Sequence, residues 1–459
     1  MFPCCDIAEL YPCFHPSPIS HRRSITSCSQ PLGKNDYLLH TRRAEAMKKR
    51  FRIVYSCSIM LLIVTGGELQ VAAFQAGPLK VGGAVRANYV LGDYVTDGSD
   101  GPQRGGNGGD FELDTFRVNL DYAQNNFLGK VEYRFYNGYN FLHTGWIGYN
   151  FSNGSQVQIG VNRVPFGIGD YGAENSWFFD QHFYVGLCDD MDLGAKYSLP
   201  LGNLVVDAAY YAGAEFEGLG DSTGSARYSY DIVDDASYIG KFPHGRAYAS
   251  YIERNQLNLR GTYTIDTGSL SAQIGISLQW GQLEAQTDLA EDSDAFAFAV
   301  HANSNLGPWA IKMQLSHYKY QADYTNGANN DLIAMGAYDF AWPVASEGTI
   351  PSIALSYTWS PKGIDWIDSI TFYNDYSVII KKGDTLDGTP FNDSALNVTG
   401  MSIASGGWYI YVDYAISNGN YFVGNEEDTY ATFSDVSDFG INGPNDWDRR
   451  FNINFGYYF

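Results

Sequence analysis

The sequence predicts an all-β fold: a transmembrane antiparallel β-barrel of about 16 strands, formed after cleavage of a signal peptide. Three observations support this prediction. Tyr and Phe are abundant, with 35 and 27 among 459 residues, and aromatic residues favour strands. Apolar and polar residues alternate with period two along the chain, as in a strand with two different faces. Short and long connections also alternate, which is typical of outer-membrane barrels.

The first 73 residues are predicted to be removed rather than folded. A basic stretch precedes the apolar run Ile53–Val64, and Val71-Ala72-Ala73 provides the small residues that a signal peptidase requires. A transmembrane helix needs roughly 20 apolar residues, and this run is shorter. We therefore expect residues 47–73 to form a signal peptide, and residues 1–46 to be an over-extended start.

The predicted mature chain, residues 74–459, is strongly acidic. It keeps 20 of the 29 Lys and Arg and 46 of the 51 Asp and Glu, which gives a net charge of −26. This charge argues against nucleic acid as a partner. It suits acidic loops that meet divalent cations and lipopolysaccharide. Cys188 is the only cysteine of the mature chain, so no internal disulfide is expected and cysteine spacing predicts no metal site.

The connections predict the strand count. Short connections, most with turn-forming Asn, Gly or Pro, lie near 124–126, 152–155, 199–203, 266–268, 304–307, 360–365 and 404–407. Longer, Gly- and Asp-rich connections lie at 92–110, 164–189, 214–254, 282–292, 321–347, 381–394 and 418–448, with one short exception near 137–140. This pattern gives 16 strands. The segment Leu332–Phe340 could be a further strand and would raise the count to 18.

The last strand has the clearest alternation. Phe451, Ile453, Phe455, Tyr457 and Phe459 share one face, opposite Arg450, Asn452, Asn454 and Tyr458. An alternating aromatic strand that ends on Phe459 resembles the signal by which outer-membrane proteins reach their assembly machinery. A secreted β-sandwich would also alternate, but closure of many two-faced strands accounts better for the length of the chain.

Basic side chains alternate with the apolar positions and are therefore expected to line the lumen. They are Arg86, Arg117, Lys130, Arg134 and Arg260. One interpretation is structural, because these side chains can pair with carboxylates such as Glu132 and Asp121. The other is functional, because ions and polar solutes in an aqueous channel would meet these charges.

The connection 167–190 is the candidate constriction. Its acidic residues are Asp170, Glu174, Asp180, Asp189 and Asp190, and its aromatic residues include Trp177, Phe178, Phe179 and Phe183. An aromatic-rich loop after the fifth strand is a candidate to fold inward and narrow the pore. Acid on the loop opposite base on the wall would set up a transverse field that orients dipolar solutes.

Four consecutive segments share motifs with a known family. They are Arg117–Leu120, Asn126–Phe135, Gly145–Phe151 and Gly160–Gly167, and the most specific step comprises Arg163, Pro165, Phe166 and Gly167. Over residues 79–212 the chain resembles the phosphate-selective porin family, the porin O and P group. The resemblance implies a 16-stranded, usually trimeric barrel with an inward-folded third loop. Phosphate selectivity does not carry over directly, because the family ties it to arginine and lysine arrays and this chain has few basic residues.

Catalytic and cofactor motifs are weak or missing. The mature chain has no P-loop, H-E-x-x-H or C-x-x-C motif, and its histidines are scattered. A hydrolase site would need a Ser or carboxylate brought to a histidine such as His143 or His301. Two acidic groups could hold Ca²⁺, namely Asp231/Asp234/Asp235 and Glu426/Glu427/Asp428, but they lack the order of a dedicated calcium loop. We favour solvated loop carboxylates there, with no cofactor and no catalysis.

Together these features predict a porin that passes small polar or charged solutes by passive diffusion through the outer membrane of a Gram-negative bacterium. The expected partners are lipid, lipopolysaccharide, the solutes and two further copies of the chain in a homotrimer. The alternative from a different class is a structural or adhesive barrel whose loops occlude the lumen. The many lumenal Ser, Gln, Asn and Thr residues favour the channel.

Overall fold

The computed structural model describes residues 74–93, 109–169, 171–221, 224–234, 250–325, 327–384, 388–420, 422–424 and 447–459. The predicted over-extended start (1–46) and signal peptide (47–73) lie outside the described residues. Within the described ranges, no helix is both long enough and apolar enough to cross a membrane. The helical structure there is a single 3-10 turn, Phe183–Val185.

Twenty strands, numbered β1 to β20 in chain order, form the described part of the chain, and 16 of them build one barrel. The barrel strands are β2 (Leu79–Gly92), β3 (Asp110–Gln124), β4 (Phe127–Phe135), β5 (Asn140–Asn150), β6 (Gln156–Arg163), β7 (Met191–Leu201), β8 (Leu204–Ala214), β10 (Tyr251–Asp266), β11 (Leu270–Ala285), β12 (Ser293–Leu306), β13 (Trp309–Tyr320), β16 (Glu347–Trp359), β17 (Ser369–Lys382), β18 (Ser394–Ser405), β19 (Trp408–Asn418) and β20 (Asp448–Tyr458). All of their pairings are antiparallel, so the predicted fold class and the count of 16 are confirmed.

The first and last barrel strands pair and close the sheet. Strand β20 lies antiparallel to β2, and the backbone N–H groups of Gly83 and Phe459 each donate to the carbonyl of the other, at 2.9 and 3.0 Å. The ring of Phe459 packs over Gly83, where a Cβ would lie 2.8 Å from it. Closure leaves no edge strand in the membrane, where an unpaired backbone group would be costly. The short strand β1 (Phe74–Ala76) pairs with the start of β2.

Turns and loops alternate around the barrel as predicted. The short end carries tight turns such as Asn125-Asn126, with Asn125 at φ 53°, and Gly307-Pro308. Gly307 is the first central residue of its hairpin turn and has a φ of 57°. Glycine suits this position because the turn requires a left-handed residue there. The longer connections lie at the opposite end. Every turn predicted from Asn, Gly or Pro thus joins two neighbouring barrel strands.

The two faces of the barrel differ in chemistry. On β11, Ile274, Ile276 and Leu278 are exposed outward, whereas Ser277 and Gln279 are buried inside. The outer surface suits lipid because it is continuous and apolar. Near the short turns it carries a girdle of aromatic residues, including Phe127, Tyr149, Trp309, Tyr357, Trp408 and Tyr457. Such girdles mark the boundary between lipid and water in membrane barrels.

A separate three-stranded sheet lies among the longer connections. It consists of β9 (Asp231–Ile232), β14 (Leu332–Ala337) and β15 (Phe340–Ala345). The predicted further strand Leu332–Phe340 therefore exists in part, but it does not enter the barrel, and the alternative count of 18 is wrong. The physical reason is visible in the residues of β14, which are apolar on both faces and all buried. A barrel strand needs one polar face.

Candidate functional site

The connection between β6 and β7, residues 164–190, folds into the barrel and is named the inward loop below. At its far side, the backbone N–H groups of Asn175 and Ser176 donate to Asp375 Oδ2 at 2.7 and 2.8 Å. The backbone N–H of Trp177 donates to Asp413 Oδ2 at 3.2 Å. Asp375 lies on β17 and Asp413 on β19, far around the ring from β6. The loop therefore crosses the lumen and is held by carboxylates of the opposite wall.

The start of the inward loop contains the Pro165-Phe166-Gly167 step. Pro165, Phe166 and Gly167 are buried against the wall. The Gly167 N–H donates to Ser277 Oγ at 3.1 Å, and the next N–H, from Ile168, donates to Gln314 Oε1 at 2.9 Å. Ser277 lies on β11 and Gln314 on β13, four and six barrel strands from β6, so these bonds hold the start of the inward loop against a distant part of the wall.

We expect Gly167→Ala to loosen this entry point. Gly167 has a φ of +65°, and a Cβ there would lie 2.4 Å from Gln314 Oε1, the atom that accepts from Ile168. Left-handed backbone strain alone costs about 1–2 kcal/mol for a non-glycine residue. Thermal unfolding of the detergent-solubilised barrel should show a lower Tm for this variant. Gly129→Ala is the matched control, because the nearest atom to its added Cβ lies 3.6 Å away; equal Tm values for both variants would contradict this explanation.

The predicted basic residues all pair with carboxylates. The pairs are Arg86–Asp114 (2.7 Å), Arg117–Glu132 (3.2 Å), Arg134–Glu132 (2.6 Å), Lys130–Asp121 (3.6 Å) and Arg260–Asp207 (2.8 Å). Two arginines share the single Glu132 carboxylate. The pairs fit the structural interpretation, and the functional one stays a prediction.

Two acidic residues of the inward loop, Glu174 and Asp180, are held within the loop itself. Asp180 accepts from the N–H groups of Ala173 and His182 at 2.8 and 2.9 Å, and Glu174 accepts from Gly172 at 3.1 Å. Burial, reinforced by the Asp180 carboxylate, raises the pKa of Glu174 well above its usual range. Burial opposes ionisation of Asp180, but the His182 ring and the N–H donors lower its pKa.

The end of the inward loop returns to the wall beside β6. Asp189 Oδ1 lies 2.6 Å from Arg163, and Asp189 Oδ2 accepts from the Tyr228 hydroxyl at 2.5 Å. Asp190 lies one residue further, in an acidic cluster described below. Asp170 lies outside the described residues. The structure thus sets Asp189 against a basic residue of β6, and the transverse field across the pore stays a prediction.

Cys188 is enclosed by the inward loop. It is 5% exposed, and burial raises the pKa of its thiol well above the usual range. A neutral, buried thiol reacts slowly with polar reagents. Because Cys188 is the free cysteine of the described part of the chain, its reactivity reports directly on whether the inward loop is in place.

Aromatic rings from five connections meet at the mouth formed by the longer loops, and these five are named the mouth cluster. They are Tyr136, Phe183, Tyr228, Tyr338 and Phe422. Tyr136 follows the third barrel strand and Tyr338 follows the eleventh, so they start from opposite sides of a 16-stranded ring. Their ring centroids are nevertheless 5.7 Å apart. The mouth cluster therefore spans the opening.

Sequence reasoning missed the mouth cluster except for Phe183. The signal that could have revealed it is the absence of alternation in Leu332–Ala337, because an apolar segment without a polar face must be buried on both sides. Such a segment in a loop of a membrane barrel can be buried only by folding onto other loops.

In the described part of the chain, none of His143, His182 and His301 joins a hydroxyl to a carboxylate through its two ring nitrogens. His182 Nδ1 lies 3.2 Å from both Asp180 and Ser352 Oγ, so one nitrogen serves both contacts, whereas a relay uses the two ring nitrogens separately. His143 Nδ1 contacts Thr144 at 2.8 Å. Neither nitrogen of the buried His301 has a hydrogen-bond partner among the described residues.

Segment 220–224, which sequence reasoning missed, has the G-x-S-x-G spacing of a hydrolase nucleophile elbow, but its serine lies outside the described residues. That motif also needs a strand-to-helix turn, and the described residues on either side, 215–221 and 224–234, contain no helix. The spacing therefore assigns no catalytic role.

The fold is a closed, antiparallel 16-stranded barrel with a loop folded into its lumen. No family model matches the chain, and no curated protein matches it. Among solved structures, it is similar to the outer membrane channel DcaP of Acinetobacter baumannii, with 13% identity and a TM-score of 0.51 over 85% of this chain and 100% of that chain.

Two further structures align at lower scores. The anion-selective porin from Comamonas acidovorans has 13% identity and a TM-score of 0.49, over 83% of this chain and 99% of that chain. OmpF of Salmonella typhi, in complex with daunomycin, has 11% identity and a TM-score of 0.48, over 83% and 97%. At these identities the similarity concerns the fold.

Proposed function

We propose that this chain is an outer-membrane channel of a Gram-negative bacterium that passes small polar solutes by passive diffusion. The observation that carries the proposal is the inward loop, which crosses a polar lumen and is hydrogen-bonded to the opposite wall at Asp375. A 16-stranded barrel is wide enough to hold water. A loop fixed at mid-lumen sets the size and polarity of what passes.

Swelling of proteoliposomes tests this proposal. Vesicles that contain the purified barrel should swell in isosmotic solutions of small sugars and amino acids, at rates that fall steeply with solute size because the inward loop narrows the lumen. Vesicles with heat-denatured protein provide the control. Swelling no faster than in protein-free vesicles, for every solute, would reject the channel.

A second function, an occluded structural or adhesive barrel, is favoured by one observation. The mouth cluster spans the opening, and the hairpin that carries Tyr338 is buried on both faces. In that case the barrel would insert into vesicles without permeating them. The swelling assay separates the two functions, because only the channel produces size-dependent rates.

Anion preference is the finer part of the proposal. It is supported by the resemblance of residues 79–212 to the phosphate-selective porins, and by Arg117 and Arg134, which share one carboxylate, Glu132. The overall negative charge of the chain acts in the opposite direction. Local charges prevail where they are partly buried, because salt screens exposed and distant charges more strongly.

We expect the double variant Arg117→Ala with Arg134→Ala to shift the reversal potential under a salt gradient toward cation selectivity. The change leaves Glu132 without either partner and reverses the local charge. If the two arginines stabilise a passing anion by about 0.7 kcal/mol, their loss changes the anion-to-cation permeability ratio roughly threefold. Arg254→Ala, which removes an exposed pair with Glu284, is the control. An identical shift in both proteins would show that the basic wall has no special role.

Assembly and lipid contacts complete the proposal. We infer a homotrimer from the same family resemblance, and contact with lipopolysaccharide through divalent ions from the acidic loops. Light scattering of the detergent-solubilised barrel should give three chains per particle. A mass of one chain would reject the trimer and leave the channel proposal in place.

A further inference from the structure

Five carboxylates are gathered where the inward loop ends. Asp190 is its last residue, Asp192 lies on β7, Asp231 on β9, Glu253 on β10, and Glu215 follows β8. Oxygens of Asp190, Asp192 and Asp231 all lie within 4.8 Å of one another. Asp231 was one of the sequence's calcium candidates, but its structural neighbours come from other segments. Asp235 and the group 426–428 lie outside the described residues.

Two of these carboxylates are anchored by one oxygen while the other has no donor. Glu215 Oε1 accepts from the N–H groups of Tyr228 and Ser229 at 3.1 and 2.9 Å. Asp192 Oδ2 accepts from Gln256 Nε2 at 2.9 Å. Asp192 Oδ1 is buried and has no hydrogen-bond partner among the described residues, whereas the Glu215 side chain lies within hydrogen-bond reach of Asp231. A carboxylate held by one oxygen with the other unpaired resembles a metal ligand held by outer contacts.

Charge balance leads to the same conclusion. Asp190 Oδ1 is also buried without a partner among the described residues. Among the described residues, the basic side chain placed against the cluster is Arg227, 2.9 Å from Asp231 and 3.5 Å from the exposed Glu217. One arginine cannot neutralise the four buried carboxylates Asp190, Asp192, Glu215 and Asp231, which would be strongly destabilised if all were ionised and unpaired.

We propose that this cluster binds one Ca²⁺ ion, held by Asp190, Asp192 and Asp231. Ca²⁺ takes about six to eight oxygen ligands in a flexible arrangement, which suits carboxylates contributed by separate segments. Mg²⁺ requires a stricter octahedron and keeps more of its water. Three charges close together also favour a divalent ion over a monovalent one.

The ion would tie two lumenal segments together. Asp190 closes the inward loop, while Glu215 and Asp231 belong to the connection after β8, whose strand β9 pairs with the buried hairpin strand β14. Bound Ca²⁺ therefore couples the inward loop to the support of the mouth cluster. The inference concerns binding and stability, so it does not depend on whether solutes are conducted.

Calorimetry of the EGTA-treated, detergent-solubilised protein tests the inference. Titration with CaCl₂ near pH 7.5 should give one bound ion per chain, and the same addition should raise the Tm. MgCl₂ should bind at least tenfold more weakly. If protons alone neutralise the cluster, CaCl₂ gives neither binding heat nor a change in Tm, and the inference is overturned.

Two conservative variants locate the site. Asp192→Asn keeps an oxygen for Gln256, and Glu215→Gln keeps one for the two backbone N–H groups, so both should fold. Asp192→Asn removes a ligand oxygen and its charge, and should weaken Ca²⁺ binding by roughly tenfold or more. Glu215→Gln removes only a neighbouring charge and should weaken binding less. Without Ca²⁺, Glu215→Gln should raise the Tm because it relieves repulsion by Asp231. Glu217→Gln, in the same connection but exposed, should bind Ca²⁺ as the unmodified chain does. Equal affinity in all variants would place the ion elsewhere.

Discussion

The variant Asp375→Ala is expected to release the inward loop from the opposite wall and to expose Cys188. Asp375 accepts three hydrogen bonds from the loop, from the N–H groups of Asn175 and Ser176 and from Asn175 Nδ2 at 2.9 Å. Its removal leaves two buried backbone donors unsatisfied. Loss of these charge-assisted bonds destabilises the closed position of the loop by about 3 kcal/mol.

A change of that size should raise the rate at which Cys188 reacts with a polar maleimide on the order of 100-fold, because labelling follows the opening equilibrium of the loop. No engineered cysteine is needed, since Cys188 is the cysteine of the predicted mature chain. Single-channel conductance should rise in parallel, because the constriction is no longer fixed.

Asp121→Ala is the matched control. Asp121 is also a carboxylate of the barrel wall, but it pairs with Lys130 at 3.6 Å, far from the inward loop. The control should leave Cys188 protected. If both variants label at the rate of the unmodified protein, the hydrogen bonds to Asp375 do not hold the loop in place.

Deletion of the hairpin formed by β14 and β15, residues 332–345, is expected to increase single-channel conductance severalfold. The hairpin is buried among the other loops and carries Tyr338, which completes the mouth cluster. A short Gly-Ser link can replace it, because the hairpin lies outside the barrel sheet and contributes no ladder hydrogen bonds to it. The effect exceeds that of any side-chain change, since a whole supersecondary unit leaves the opening.

The double variant Tyr338→Ala with Phe422→Ala provides a second test in case the hairpin deletion does not fold. It removes two rings from the mouth cluster and keeps the backbone, so a smaller increase of the same sign is expected. Deletion of Lys362 and Gly363, in the connection at the opposite end of the barrel, should leave conductance unchanged. Unchanged conductance in both the hairpin deletion and the double variant would show that the mouth cluster does not obstruct the pore.

The barrel itself was predictable from sequence because each strand has its own local signature. Lipid on one side and water on the other impose period two on every strand, as in Phe451–Phe459, and tight turns require residues such as Asn125 and Gly307. The strand count followed from counting these turns. The one ambiguous segment, Leu332–Phe340, was ambiguous because it lacks the alternation that the barrel demands.

The lumen was much less predictable, because its contacts join residues far apart in the chain. The hydrogen bonds from Asn175 and Ser176 to Asp375 join residues about 200 positions apart in the chain. Each turn signal, in contrast, involves only neighbouring residues. Likewise, Asp190 and Asp231 come together only because the inward loop and the connection after β8 fold to the same side. No local pattern of charge in the sequence predicts that these two residues lie close together. Side chains could be assigned to the lumen from alternation, but their partners could not.

The most direct test of the central claim is single-channel recording of the unmodified protein in a planar bilayer, with the hairpin deletion recorded under the same conditions. We expect small, stable steps for the unmodified chain and larger steps for the deletion, because solutes pass a lumen narrowed by the inward loop and the mouth cluster. A barrel that inserts but conducts in neither form would contradict the account.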